Sequence, residues 1–105
     1  MDKIAELLKK IGIPFAYDHF AEGESPKPPF ICYRLPASDN FAADGMVYFH
    51  FTEVSIELYT DKKEPKSESK LETALDAAGI FYNKTETYIE SEKLYEVMYT
   101  FETEV

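Results

Sequence analysis

Two histidines, one cysteine and a run of alternating glutamates are the side chains here with the chemistry for catalysis or metal binding. His19 and His50 stand thirty-one residues apart, with no HxH or HExxH spacing around either. A zinc site takes three or four protein ligands, and Cys32 has no CxxC partner to help supply them. A nucleophilic thiol needs an adjacent base in an open pocket. Inside the apolar run FICYRL, Cys32 reads instead as a small core residue. The segment NFAADG ends in Asp–Gly like a calcium loop. On the EF-hand frame from Asn40, however, position three is Ala42 and position twelve is Phe51, so essential oxygen ligands are missing. Four scattered glycines (Gly12, Gly23, Gly45, Gly79) build no phosphate loop or nucleophile elbow. Asn83-Lys84-Thr85 matches a glycosylation sequon, which carries no weight without a secretory signal. Glu96, Glu102 and Glu104 imitate paired catalytic acids, but alternation along a strand is the ordinary pattern of a solvated face. No enzymatic activity, cofactor or metal is expected.

The elements that would position these residues are legible from periodicity. Residues 2–11 form an amphipathic helix, with Asp2 as N-cap, Ile4, Leu7, Leu8 and Ile11 on one stripe, and Gly12 just past its end. IPFAYDHF (13–20) alternates as a strand does, with Pro14 confined to its start or to a sheet edge. Residues 21–29 are a proline-rich loop, and FICYRL (30–35) is apolar on both faces. A second loop, 37–45, carries Phe41 between Asp39 and Asp44. The strand signal 46–60 changes phase midway, which predicts a bulge or bend near Thr52–Glu53, or a strand crossing between packing layers. A second helix spans 61–80, with Pro65 in its first turn, a Leu71, Ala74, Leu75 and Ala78 stripe, and Gly79 closing it. Residues 80–89 and 94–105 form a hairpin around Glu90–Lys93. On its last strand Tyr95, Val97, Tyr99 and Phe101 share one face, and Glu96, Met98, Thr100, Glu102 and Glu104 the other. The order α-β-β-β-α-β-β implies an α+β fold: a mostly antiparallel sheet of four to five strands with two helices packed on one face.

At 105 residues the chain has room for one domain, 1–105, and its 45% hydrophobic content excludes a disordered acidic tail. The net charge of −9 and the single arginine, Arg34, leave no basic stripe for a phosphate backbone. Direct nucleic-acid binding and docking on an anionic membrane are therefore not expected, and no stretch has the length of a transmembrane helix. A lone cysteine makes the fold independent of an oxidising compartment. The acidity is uneven. Residues 1–35 are neutral, 36–70 carry −3, and 71–105 carry −6.

Eleven large rings, among them Phe20, Phe30, Phe41, Tyr59, Tyr95 and Phe101, exceed what two short helices and one sheet readily cover; core packing takes most of them, and the surplus points to a protein–protein interface. The strand ending IELYT (56–60), the turn DKKEP (61–65) leading into a helix, and the closing hairpin TYIESEKLYEVMYTFE (87–102) carry a resemblance. With the opening segment GIPFAYDHF (12–20), the chain resembles small proteins of the head–tail module of tailed, siphovirus-type phages and prophages. Among these it is similar to the tail-completion, or tail-terminator, family.

That resemblance implies a structural virion protein, assembled in the bacterial cytoplasm. Its copies would form a ring, of six subunits, that caps the tail tube and joins it to the head. The implied partners are further copies of the chain, the tail-tube protein and head-connector proteins. Phe41, Asp39 and Asp44 are then candidates for the oligomer interface. Glu96, Glu102 and Glu104 are candidates for an acidic channel face that repels passing DNA. Ordinary solvent-facing carboxylates that keep an aromatic subunit soluble are the competing reading of those glutamates. A head-completion, connector or other minor capsid protein, and a small acidic protein-binding module that mimics nucleic acid, are the alternative functions.

Overall fold

Residues 3–20, 26–34 and 51–104 are described by the computed structural model, with the side chains of Lys3, Phe51, Thr52, Thr103 and Glu104 excepted. Phe41, Asp39, Asp44 and the stretch 46–50 lie outside the described residues, as do Asp2 and His50.

The first element, helix α1 (Lys3–Lys9), ends two residues short of the expected span; it buries Ile4 and Leu8 and half-buries Leu7, with Ile11 half-buried in the turn that follows. Gly12 then takes a φ of +85°, a conformation that costs a side-chain-bearing residue free energy. The following strand, β1 (Phe15–Tyr17), is shorter than its alternation suggests. The reason is local. Asp18 has φ +68° and the His19 amide donates to the Tyr17 carbonyl, which turns the chain out of the strand. Strand β2 (Phe30–Arg34) is buried at its first four positions, as its two-sided apolar pattern requires.

Strand β3 (Phe51–Thr60) pairs antiparallel with β5 (Leu94–Glu104), from Phe51↔Glu104 through to Thr60↔Tyr95. The ladder advances one residue for one residue through Thr52↔Thr103 and Glu53↔Glu102. The bulge expected at 52–53 is therefore absent from this pairing. Between these strands in sequence lie helix α2 (Pro65–Ala77) and strand β4 (Asn83–Ile89). Pro65 opens the helix, where its missing N–H costs nothing. Gly79, at φ +72°, closes it. Its amide donates to the Asp76 carbonyl, and the Ile80 amide reaches the Leu75 carbonyl, which is the Schellman arrangement. Residues Glu90–Lys93 connect β4 to β5 as expected, with Ile89 facing Leu94.

The chain is an α+β fold. Its five strands form one mixed sheet in the order β1-β2-β3-β5-β4, in which only β1–β2 is parallel. Both helices join one buried cluster with a single face of that sheet: Ile4, Leu8, Leu71 and Leu75 meet Ile31, Tyr33, Val54, Ile56, Leu58, Val97, Tyr99 and Phe101. A fully buried leucine or isoleucine contributes about 1.5–3 kcal/mol relative to exposure, so this face holds the layers together. The strands β1 and β4 form the two edges.

Candidate functional site

Two polar assemblies and two surface recesses are the places where chemistry or binding is built into this fold. The first assembly lies on the helix-covered side. Lys84 of β4 sits opposite Tyr99, and that register aims its ammonium at α2. It lies 2.9 Å from Glu68 Oε1, 2.6 Å from Glu72 Oε2 and 5.8 Å from the Tyr99 ring centre. Lys63 pairs with Glu68 at 2.8 Å and also with Glu86. The buried Tyr99 hydroxyl donates to Glu72 Oε2 at 2.8 Å. Burial alone would push the Glu68 carboxyl up, but hydrogen bonds from Lys63 and Lys84 outweigh it and hold the group below its ordinary value. This assembly is a strut between α2 and the β4 edge in which each of three carboxylates meets at least one of two ammoniums.

The second assembly occupies the other face of the sheet. Arg34 Nη2 donates to Glu57 at 3.0 Å, and Arg34 Nε lies 3.5 Å from Asp18. The Tyr59 hydroxyl lies 3.2 Å from Glu57 Oε1 and 3.1 Å from Glu96 Oε2. One hydroxyl has one hydrogen and cannot donate to two carboxylates at once. Burial together with the neighbouring Glu57 carboxylate raises the proton affinity of Glu96 above that of an ordinary glutamate. Burial and the same two acids raise the Tyr59 hydroxyl as well. Phe30 stacks on Tyr59 at 5.1 Å, and Phe20 meets Phe30 edge-on at 5.6 Å.

Cys32 sits beside this assembly, in register with Glu57. Burial first, then the Glu57 charge, pushes its thiol up, so the thiolate a nucleophile requires is disfavoured. His19 is exposed, and its Nδ1 lies 2.8 Å from Asp18 Oδ2. Among the described residues no three His, Cys, Asp or Glu side chains converge as metal ligands.

The acidic residues singled out in the last strand are placed as follows. Glu96 and Glu102 share the face away from the helices but sit six residues apart, about 20 Å along the strand. Glu96 is half-buried in the assembly around Tyr59, whereas Glu102 is exposed and lies directly opposite Glu53. Glu104 ends β5. Among the described side chains at the strand positions of this face, the carboxylates Glu53, Glu57, Glu96 and Glu102 stand against Arg34 alone. Sequence reading did not single out Glu57, Arg34 or Lys84. The one available signal concerned Glu68, which falls three residues before Leu71 and seven before Leu75, on the buried stripe.

These features define the class of protein: a two-layer α+β domain with helices on one sheet face and an acidic second face. Comparison of the chain with protein-family models, curated proteins and solved structures yields no match.

Proposed function

We propose that this chain is a structural subunit of a tailed-phage virion, a tail-completion or terminator protein. Its copies form a ring that caps the tail tube and joins it to the head. The resemblance of the strand–turn–helix segment and the closing hairpin to that family supports the reading. The observation that carries it is the sidedness of the sheet. Both helices cover one face, and the other carries Glu53 and Glu102 in solvent beside a buried Glu57, paired with Arg34, and a half-buried Glu96. The net charge of −9 on each copy makes a ring of them repel phosphates, so that DNA passes without adhering. The neighbouring, directly opposed Glu53 and Glu102 cost stability in an isolated strand pair, which gives this face a use in placing charge rather than in holding the sheet together.

The test is the mass of the purified protein, alone and mixed with tail tubes, by native mass spectrometry. A closed oligomer that co-purifies with tubes is the expected result. Strict monomer behaviour in both samples overturns the proposal. A monomer that binds and blocks a basic nuclease instead assigns the acidic face to mimicry of nucleic acid.

A further inference from the structure

Phe81 is the most exposed large apolar side chain among the described residues, at 95%. It follows the C-terminal end of α2 and, with Glu53 and Glu102, rims a shallow recess. An aromatic ring thus stands in solvent at a recess that two carboxylates also line, although burying it is worth about 1.5–3 kcal/mol. At the N-terminal end of α2 lies a hollow of about 500 Å³. Ile13, Pro14 and Pro29 line it, and Lys27, Lys66 and Lys70 surround them. Among the described residues none of these three lysines lies in an ion pair. Glu64 shares the rim, and its carboxylate accepts the Ser67 hydroxyl. Lys66, in the first turn of α2, also opposes the helix dipole, which favours acids there, while the last turn carries no base. Neither the knob nor the hollow is explained by the stability of the single chain.

We infer that the two are halves of one contact between copies: Phe81 of one copy enters the hollow of the next, and Glu53 and Glu102 meet its three lysines. Apolar knob matches apolar floor, and acidic flanks match a basic rim. The thirteen residues of α2 separate the two sites by about 20 Å, so they cannot meet within one copy. A contact between two different patches is heterologous and repeats from copy to copy, closing into a ring when the rotation allows. The inference supplies the subunit contact of the ring proposed above and rests on that reading.

The experiment uses the full chain, with oligomer mass read by native mass spectrometry and sedimentation. The variants are Phe81→Ser, Lys66→Glu/Lys70→Glu and Glu53→Lys/Glu102→Lys, all at exposed positions, with circular dichroism confirming the fold. Each is expected to weaken self-association by about tenfold or more, the equivalent of about 1.4 kcal/mol. An equimolar mixture of the two charge-reversed variants is expected to restore assembly, because every contact between unlike copies then pairs opposite charges. If oligomers survive all three variants, the contact is overturned while the ring reading stands. Assembly through this contact without affinity for tail tubes keeps the contact and overturns the terminator role. A strictly monomeric wild type overturns both. Capture of a short DNA duplex, lost in Lys66→Glu/Lys70→Glu, assigns the lysines to a polyanion and overturns the contact.

Discussion

Tyr59 holds two carboxyl groups around a single hydroxyl, and the consequence is a pH dependence of known sign. Glu96 binds its proton more tightly in the folded chain than the ordinary glutamate value of about 4.3. The folded state therefore carries more protons than the unfolded one above that pH. The stability this supplies is complete below about pH 4.3 and is lost as pH rises through the raised value. Glu96→Gln removes the charge but keeps a partner for Tyr59. It is expected to raise the urea midpoint at pH 7, with the gain shrinking towards pH 4. An equal gain at both values would refute the account. Glu68 has the opposite sign: held low by Lys63 and Lys84, it contributes above its ordinary value and loses that contribution as pH falls. The two residues are the same amino acid, and position 96 alternates with apolar neighbours as any outward strand residue does. Nothing local marks it as half-buried. The environment comes from Glu57 and Tyr59, brought alongside by the pairing of β3 with β5.

Helix α2 shows the reverse case, an element almost wholly legible in advance. Proline at the first helical position, leucines four apart and glycine after the last turn are local signals with local causes. A Cβ added at Gly79 meets nothing within 4 Å, so the penalty for a side chain there comes from backbone conformation alone. Gly79→Ala is therefore expected to cost about 1–2 kcal/mol in urea denaturation, with no change in the helical circular dichroism of the folded state. Strand β1 was less legible. Its segment reads as strand through position 20 on the alternation of Ile13, Phe15 and Tyr17, but a single left-handed residue at Asp18 ends the strand. The phase change near Thr52–Glu53 did not produce the expected bulge: from Phe51 to Thr60 the strand pairs with β5 one residue for one residue.

Across the whole molecule, one cluster joins side chains from both helices with those of β2, β3 and β5. A core shared in this way melts cooperatively. Leu75, fully buried, contacts that cluster from α2. Leu75→Ala is expected to lower stability by about 2–5 kcal/mol. The far-ultraviolet and tyrosine signals should shift together; transitions that separate would show that the helices and the sheet unfold independently. At this scale the net charge also changes meaning. Four of the twenty acids share one sheet face, and, among the described residues, lysines outside any ion pair gather at the far end of α2 from Phe81.

The sequence by itself determined the element order, the α+β class, the buried isoleucine and leucines of the helices and the inward face of the last strand. Each of these follows from periodicity and end signals that act over a few residues. Only the tertiary structure decided which charges meet. Lys84 with Glu68 and Glu72, Tyr59 with Glu57 and Glu96, and the apolar floor beneath Lys27, Lys66 and Lys70 join residues far apart in the chain. Strand register and helix placement set those distances, and electrostatic and packing energies depend on distance in space rather than along the sequence.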